Sequence, residues 1–422
     1  MICIFQVLGK VRDYSKKEFV IKEFAHKSLF SSDVLRKKLL REGKQTSLVF
    51  FVPESLLTDA DLSEYEQKLK EVGIEDFECI ELPSAGKVGG WSFRSAVETI
   101  TSSIFLEILK RRSEKLYVDV STGQNIYTIP LMEAAKRYLT YRKLERLLQE
   151  DCRVKAEILF TPPIVDVERY HVEMQSIDVK AFFALPNADV DNLCKEVPDE
   201  MTEMRTEVNI KYDETKKKFG KMYKELKIAF NAIRLNTPLA FYQILSMDLP
   251  ADEIESEVME FVEELLKPMR KEKEVLRMGV DGVNVSNIFY SIALYKSIQE
   301  FAKTLSEAEI SEIFEKFRSI YRVKSLGTGV NEYFLERDVD DIKEVVKTAL
   351  NEGRIYDGGE ELYGKLKHGE VRKSKDQKRN FFAHSGFLQE ITLVRVRGGK
   401  IFVRWMDSEI KIAKKWIEKP EK

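Results

Sequence analysis

The chain has 422 residues, of which 43% are hydrophobic and 33% are charged, so it can bury the cores of two or three domains. Its 69 basic and 71 acidic side chains give a formal net charge of -2, which excludes a positive field over the whole surface. Any nucleic acid would therefore have to be bound by a local basic patch.

Two features bear on the compartment and on metals. No apolar run is long enough to cross a bilayer, and the first residues lack the basic leader of a secretion signal, so we expect a cytoplasmic protein with no membrane partner. The four cysteines are far apart, with no C-x-x-C pair and no histidine at metal-binding spacing: Cys3, Cys79, Cys152 and Cys194. We predict free buried thiols and no bound metal or other cofactor.

Strands and helices alternate in the first part of the chain. Short apolar segments predict strands at Ile2–Leu8, Ser47–Val52, Phe77–Leu82, Leu116–Ser121 and Val154–Phe160. Segments with helical character run over Asp33–Glu42, Asp61–Val72, Ser95–Arg111 and Ile129–Leu148. Because such alternation builds a parallel sheet with helices on both faces, residues 1–185 are predicted to form a Rossmann-like domain.

The pattern becomes helical from about Thr206. Apolar residues recur every three or four positions from Val208 to Ile233 and again after Pro250, as core-facing helices require. We interpret these stripes as core packing and expect a long helical segment over about residues 268–360.

The last part of the chain changes again. The stretch I-T-L-V-R-V-R-G-G-K-I-F-V-R-W predicts a hairpin that turns at Gly398–Gly399. The predicted fold class is therefore α/β plus all-α, with a Rossmann-like parallel sheet first and a helical domain over residues 186–422 that carries the hairpin.

The stretch D-V-S-T-G-Q-N, residues 119–125, follows the fourth predicted strand. In an open parallel sheet, ligands bind beyond the carboxyl ends of the strands. Small residues let the backbone approach a ligand, and hydroxyl, amide and free N–H groups at a helix start suit a phosphate. A plain strand-to-helix turn capped by serine and threonine is the structural alternative. The candidate ligand-binding residues of this turn are Ser121, Thr122, Gly123, Gln124 and Asn125.

Two further segments end at the same edge of the predicted sheet. Gly9 and Lys10 follow the first strand, and the Lys10 ammonium group can contact a phosphate. The glycine-rich segment Pro83–Arg94 follows the third strand. We interpret it either as a wall or lid of the ligand site or as a flexible loop.

The stretch R-N-F-F-A-H, from Arg379 to His384, contains one of only four histidines. A histidine can relay a proton at neutral pH, and an arginine can stabilise charge that grows on phosphoryl oxygens. These two residues, with Asn380 beside the arginine, are candidates for metal-independent cleavage of RNA through the ribose 2′-OH. The structural alternative is a surface helix with one arginine and one partly buried histidine.

The segment leading to this motif is locally basic. Seven lysines and arginines from Lys365 to Arg379 outnumber two acidic residues, which suits a phosphate backbone. Positions five apart on a helix differ by about 140° in direction, so one copy aims Arg379 and His384 partly apart. A two-fold partner would bring a second pair to the same cleft, and we therefore expect a homodimer.

In this order, the two motifs resemble those of the CARF–HEPN ancillary ribonucleases of type III CRISPR systems. In that family a Rossmann-like CARF domain carries D-[small apolar]-[S/T]-x-G-x-[N/K] after its fourth strand, which reads D-V-S-T-G-Q-N here. A helical HEPN domain carries R-x(4–6)-H, which reads R-N-F-F-A-H here. The resemblance covers most of the chain but does not explain residues 268–360 or the C-terminal hairpin.

The resemblance implies an allosteric ribonuclease of antiviral defence. A CARF dimer would bind a cyclic oligoadenylate, with cyclic tetra-adenylate expected, against Ser121 to Asn125 of each chain. The HEPN pair would then cut single-stranded RNA with Arg379 and His384. Assembly beyond the dimer stays open. The alternative is a non-catalytic nucleotide-sensing regulator whose helical domain binds DNA or a protein, and such a regulator does not need His384 behind Arg379.

Overall fold

The chain forms an α/β part followed by a mostly helical part. The computed structural model describes residues 1–10, 14–58, 61–122, 125–149, 154–161, 169–371 and 374–420. Its strands are β1 (Ile2–Val7), β2 (Lys17–Ile21), β3 (Phe24–Ser28), β4 (Thr46–Pro53), β5 (Phe77–Leu82), β6 (Gly86–Val88), β7 (Trp91–Arg94), β8 (Lys115–Asp119), β9 (Lys155–Phe160), β10 (Arg169–His171), β11 (Glu173–Ile177), β12 (Cys194–Glu196), β13 (Met269–Lys271), β14 (Glu274–Leu276), β15 (Gly279–Val280), β16 (Glu360–Leu362), β17 (Thr392–Arg397) and β18 (Lys400–Trp405). Its helices are α1 (Ser31–Arg41), α2 (Leu62–Glu71), α3 (Val97–Lys110), α4 (Asn125–Glu145), α5 (Thr202–Lys211), α6 (Asp213–Arg234), α7 (Ala240–Gln243), α8 (Ala251–Leu266), α9 (Gly282–Ala302), α10 (Ile310–Tyr321), α11 (Gly329–Asn351), α12 (Tyr363–His368), α13 (Gln377–Ala383) and α14 (Ile410–Glu418).

A six-stranded sheet forms the centre of the α/β part, in the spatial order β11-β9-β8-β1-β4-β5. Five of these strands are parallel, and the edge strand β11 is antiparallel to β9. The predicted parallel sheet with alternating helices is thus confirmed. From β1 the chain builds outward through β4 on one side and later through β8 on the other, so the strand order reverses between β1 and β8. Ligands bind at such a reversal, beyond the carboxyl ends of the strands.

Alternate residues of the central strands pack into two cores. In β1, Phe5 faces one core and Ile4 faces the other, as successive residues of a strand must. Helices α3 and α4 contribute to the core that contains Phe5, and α1 and α2 contribute to the core that contains Ile4. Because both faces are covered, β1 and β4 are apolar along most of their length.

The core beneath α3 and α4 continues into the helical part. α9 packs against both helices, and the rings of Phe105 and Phe289 meet edge to face with 5.7 Å between their centroids. One cluster of buried apolar residues runs from β1 to the last helix, where it includes Ile417. The two parts of the chain are therefore packed on each other across one face of the sheet.

A four-stranded sheet in the order β13-β14-β7-β6 also connects the two parts. β6 and β7 form a hairpin within Pro83–Arg94, so this segment is not a plain loop. β13 and β14 form a second hairpin, so the expectation of a helical segment over residues 268–360 is wrong at its start. β14 runs parallel to β7, with Val275 opposite Phe93. Strands of three or four residues carry too little periodic signal to be predicted from sequence.

The hairpin predicted at Gly398–Gly399 is confirmed as β17 and β18, and β16 adds a third strand that the sequence does not predict. Trp405 at the end of the hairpin is fully buried, and its indole N–H donates to the Gly386 carbonyl oxygen at 2.8 Å. Its ring also packs against Phe381, with 5.5 Å between centroids. The hairpin therefore anchors α13, which carries the R-N-F-F-A-H motif.

The cysteines of the described residues are free thiols. Burial raises the pKa of Cys3, Cys79 and Cys194, to about 12 for Cys79, while Cys152 lies outside the described residues. The described part of the chain also holds no cluster of three metal-binding side chains. None of its helices is long and apolar enough to span a membrane.

A buried ion pair joins the four-stranded sheet to the central one. Glu54 follows β4 and Arg277 follows β14, and both side chains are at most 4% exposed. The guanidinium donates to both carboxylate oxygens, with Nη1–Oε2 at 2.6 Å and Nη2–Oε1 at 2.5 Å. Burial raises the pKa of Glu54, but the hydrogen bonds and charge of Arg277 outweigh it, so this pKa lies below its ordinary value. Glu54 is therefore held as a charged partner of Arg277.

We predict that Arg277→Met lowers the free energy of unfolding by about 3 kcal/mol at neutral pH, because the buried Glu54 then keeps only the Arg270 guanidinium, 3.4 Å away, as a cationic partner. Since the Glu54 pKa is lowered by folding, the contribution of the pair is complete above about pH 4.3 and is lost as the pH falls below that value. Chemical denaturation should therefore show a smaller difference between the two proteins in acid.

The matched control is Lys303→Met, which breaks an exposed pair with Glu300 and should leave stability nearly unchanged. An equal loss of stability in both variants would contradict the role assigned to Arg277.

Candidate functional site

The turn after β8 is built on a buried carboxylate. Asp119 ends β8 and is fully buried, where it accepts hydrogen bonds from the Ser31 hydroxyl at 2.5 Å and from the Ser121 backbone N–H at 2.8 Å. Burial raises the pKa of Asp119, and these hydrogen bonds oppose that rise. Asp119 therefore holds Ser121 at the carboxyl edge of the sheet and does not itself face a ligand.

The end of β1 holds the next residue of the turn. The Thr122 hydroxyl donates to the Val7 carbonyl oxygen at 3.2 Å and accepts from the Gln6 side-chain amide at 2.5 Å. The Ser32 hydroxyl in turn donates to the side-chain amide oxygen of Gln6. Gln6 is buried, so this network fixes the spacing of the loops after β1 and β8. The predicted residues Ser121 and Thr122 therefore lie at the reversal of strand order.

Sequence reasoning missed Gln6, Ser31 and Ser32. The signal was a single amide inside the otherwise apolar strand I-C-I-F-Q-V, followed later by two serines at a predicted helix start. A buried polar side chain in a strand needs a hydrogen-bond partner. Because Gln6 lies near the carboxyl end of its strand, that partner is expected at the edge of the sheet where ligands bind.

The remaining predicted residues of this edge differ in their surroundings. The Gly9 backbone packs so closely on Tyr14 that an added Cβ would lie 2.5 Å from the Tyr14 hydroxyl, and the Tyr65 hydroxyl donates to the Gly9 carbonyl oxygen. Lys10 is exposed, and Asn125 is exposed as the first residue of α4. Gly123 and Gln124 lie outside the described residues.

The second candidate site lies on α13 and the turn after it. The Asp376 carboxylate caps the helix by accepting from the Arg379 backbone N–H at 3.1 Å, and Phe381 is buried against Trp405 and Trp416. These contacts leave the Arg379 side chain exposed and Asn380 half-buried. Within the described residues, no hydrogen bond joins the side chains of Arg379 and His384. One copy of the chain therefore presents the two groups separately, in line with their five-residue spacing.

His384 lies beside a carboxylate from α11. Its side chain is 50% exposed, and Nδ1 lies 3.6 Å from an Asp338 carboxylate oxygen, whereas the Asp338 side chain is only 8% exposed. The other Asp338 oxygen accepts from the Ser385 hydroxyl at 2.7 Å, which itself accepts from the Asn236 amide at 2.8 Å. Ser385 takes the positive φ of 50° that turns the chain away from α13. This arrangement directs Nδ1 toward Asp338 and leaves the other ring nitrogen facing away from it.

A second carboxylate lies near His384. Asp341, one turn beyond Asp338, accepts from Lys367 Nζ and from the Tyr363 hydroxyl, both at 2.5 Å. Burial raises the pKa of Asp341, but these hydrogen bonds outweigh it and leave the pKa below its ordinary value. Burial and the Asp341 charge raise the pKa of Tyr363, so the phenol remains a donor. The surroundings of His384 are thus charged and hydrogen-bonded, unlike a packed core. Sequence reasoning missed Asp338, Asp341 and Asn236 because the first two lie on α11 and Asn236 lies in the turn after α6, all distant in the chain from His384.

The basic run before the motif is only partly free. Lys365 pairs with Glu361 at 3.3 Å, and Lys367 pairs with Asp341 at 2.5 Å. Lys378 donates to the Lys419 carbonyl oxygen at 2.8 Å. Two of its members, at positions 372 and 373, lie outside the described residues. The local excess of positive charge in the sequence is therefore a weaker field than the residue count indicates.

Comparison with known proteins finds two family matches. Residues 3–163 match the family model for the CARF domain of CRISPR system endoribonuclease Csx1. Residues 328–408 match the family model for the HEPN domain of the same endoribonuclease. No curated protein matches the chain. The first match contains the turn at Ser121 and Thr122, and the second contains Asp338, Arg379 and His384.

An α/β nucleotide-sensing domain followed by a helical ribonuclease domain defines the class of this protein. The chain belongs to the CARF–HEPN ribonucleases of CRISPR systems, as the two motifs indicate. The HEPN match favours a ribonuclease over the non-catalytic regulator that the sequence left as the alternative.

Proposed function

We propose that the protein is a cytoplasmic, metal-independent endoribonuclease that cuts single-stranded RNA in antiviral defence and is activated by a cyclic oligoadenylate. The observation that carries this proposal is His384, half exposed and held against the buried carboxylate of Asp338 in a helical part with Arg379 nearby in the chain. A buried carboxylate beside one ring nitrogen orients a histidine for proton transfer at the other.

The proposed chemistry needs no group beyond the chain and the RNA. His384 takes the proton of a ribose 2′-OH, or gives one to the leaving 5′-oxygen, while the 2′-oxygen forms a bond to phosphorus and the bond to the 5′-oxygen breaks. Arg379 stabilises the charge on the phosphoryl oxygens, and Asn380 can donate to the same oxygens. Asp338 acts through His384 as a positioning residue.

A second copy of the chain would complete this site. Val330, Tyr333 and Phe334 are exposed and lie at positions i, i+3 and i+4 of α11, so they form one apolar stripe on the helix that carries Asp338. The Arg337 guanidinium packs over the Phe334 ring at 5.3 Å and pairs with Asp338 at 3.1 Å, which places the stripe beside the candidate catalytic residues. We propose that this stripe meets its two-fold copy, bringing two Arg379–His384 pairs to one cleft.

The sensing edge is proposed to hold the ligand through Gly9, Lys10 and residues 121–125, with cyclic tetra-adenylate as the expected activator. Lys10 and the hydroxyls suit phosphates, and the exposed start of α4 adds free N–H groups. A symmetric ligand across two copies can shift the protein toward an active state if it binds that state more tightly.

A chain of contacts supports a physical route from this edge to the helical part. Tyr127 is the second residue after the start of α4, and its hydroxyl donates to the Ser84 hydroxyl at 2.9 Å. The Ser84 backbone N–H donates to the Glu54 carboxylate at 3.2 Å, and Glu54 holds Arg277 of the helical part. Movement of α4 on ligand binding would therefore reach the β13–β14 hairpin through buried, hydrogen-bonded groups.

We predict that His384→Ala and Arg379→Ala each lower RNA cleavage at least about 100-fold in EDTA, because one removes the proton relay and the other removes the guanidinium that stabilises the charge on the phosphoryl oxygens. The measurement is cleavage of a labelled single-stranded RNA with cyclic tetra-adenylate present. The matched control is His26→Ala, an exposed histidine on β3 of the α/β part, which should cleave like the parent. Full activity of His384→Ala in a nuclease-free preparation would remove the site assignment.

We predict that Ser121→Phe lowers the ratio of ligand-stimulated to unstimulated cleavage toward one and weakens binding of cyclic tetra-adenylate. The bulky ring would occupy the space that the small residues leave for the ligand backbone. Ser256→Phe, an exposed position on α8, is the control of matched size change. Unchanged stimulation in Ser121→Phe would exclude this turn from the ligand site.

We predict that Tyr333→Asp shifts the protein from dimer to monomer in sedimentation and lowers cleavage in parallel, since the two-fold axis places the new charge in the contact twice. Tyr356→Asp is the control, because Tyr356 is similarly exposed after the end of α11. A fully active monomer of Tyr333→Asp would contradict the proposed shared cleft.

A further inference from the structure

A large groove lies between the two parts of the chain, and no residue of either candidate site lines it. Its volume is about 1060 Å³, and its walls are the end of α4, the segment 178–183 and the loop 322–327. Lys143 is 18 positions after the start of α4, which puts it about 27 Å along the helix from the sensing turn. The groove is therefore not part of the proposed cyclic oligoadenylate site.

The groove is basic although the chain as a whole is slightly acidic. Its described lining has five cationic side chains and one carboxylate: Lys143, Arg146, Lys180, Arg322, Lys324 and Asp178. Asp178 forms an ion pair with Lys143 Nζ at 2.7 Å, and Arg322 forms one with Glu332 at 2.7 Å. Among the described residues, the other three cations form no ion pair with a carboxylate, although the Lys180 charge helps to lower the pKa of Asp178. A net positive groove remains on a protein whose formal charge is -2.

An aromatic side chain stands within this basic lining. Phe183 is anchored in the core against Phe230, with 4.6 Å between ring centroids, and its backbone N–H donates to the Ser325 carbonyl oxygen at 3.4 Å. The preceding residue, Phe182, is instead 65% exposed in the groove. An exposed ring among cations is an arrangement by which proteins stack one base of a single strand and hold the adjoining phosphates.

One edge of the groove adjoins the start of α11. Its rim ends at Gly327, and α11 begins two residues later. In the first turn of α11, the Asn331 carbonyl oxygen accepts from the Asn236 amide at 3.3 Å, and the same amide donates to Ser385, the neighbour of His384, at 2.8 Å. One side chain thus separates the start of α11 from the turn that holds His384.

We propose that this surface, here called the Lys180 groove, binds single-stranded RNA outside the cleavage cleft, with Lys180, Lys324 and Arg146 on phosphates and Phe182 on a base. The inference rests on the proposed ribonuclease function for the identity of the RNA as substrate. Charge alone would also suit an acidic peptide, but an exposed aromatic ring among the cations and the continuity with the His384 turn favour RNA.

The test measures RNA binding separately from cleavage. In the His384→Ala background, a labelled single-stranded RNA of about 12 nucleotides is titrated by fluorescence anisotropy at several salt concentrations. Lys180→Ala/Lys324→Ala should weaken binding and reduce the slope of log Kd against log salt by about 1.4, because each lost phosphate contact accounts for about 0.7. Phe182→Ala should weaken binding about fivefold or more while leaving that slope unchanged.

The matched control is Lys68→Ala/Lys70→Ala, which removes two exposed lysines from α2 on the opposite face of the sheet. When the same substitutions are made in the protein that retains His384, the groove variants should have a higher KM for this RNA, and the α2 variant should have an unchanged KM.

The outcomes separate the two proposals. A parent that cleaves no RNA overturns the ribonuclease function, yet the binding titration still decides the groove. Groove variants that bind RNA with the affinity and salt slope of the α2 control overturn the groove. Loss of binding to a poly-glutamate peptide with RNA binding unchanged would assign the groove to an acidic protein partner instead.

Discussion

The packing of α9 against α3 and α4 is the contact on which both functional edges depend. α4 begins at the turn after β8 and ends at the Lys180 groove, and its buried face is covered by α9 of the helical part. Close-packed interiors rearrange between discrete packings and do not deform continuously. A displacement of α4 at its start must therefore be taken up by α9 and the helices around it. This constraint makes the protein one mechanical unit although its two halves carry different chemistry.

Buried ion pairs lie where the α/β part meets the helical part. Glu255 of α8 accepts from the Tyr141 hydroxyl of α4 at 2.5 Å and pairs with Lys296 of α9, in the same way that Glu54 holds Arg277. A buried carboxylate without partners is strongly destabilising, so each of these groups admits only arrangements in which its donors stay in place. The same logic holds at the two candidate sites, where buried aspartates fix the residues beside them and leave hydroxyl or imidazole groups accessible.

Positive charge is distributed locally in this protein. Among the described residues, the basic run before Arg379 is engaged in part by Glu361, Asp341 and the Lys419 carbonyl oxygen, whereas Arg146, Lys180 and Lys324 of the Lys180 groove form no ion pair with a carboxylate. The two surfaces divide the requirements of an RNA-cutting enzyme. The cleft needs few, well-placed groups that act on one phosphate, and the groove needs several weaker contacts that hold the strand.

Much of this architecture was accessible from the sequence alone. Continuous apolar runs separated by helical stripes determined the parallel sheet, because burial on both faces leaves no room for alternation. The order of D-V-S-T-G-Q-N and R-N-F-F-A-H determined the family, and the glycine pair at 398–399 determined the last hairpin. The tertiary structure decided what those patterns do not encode. Strands of three residues, the partners Gln6 and Asp338, and the Phe182 ring in its basic groove are brought into place by segments distant in the chain. Local periodicity does not predict such contacts, because each of them depends on which distant segments the folded core brings together.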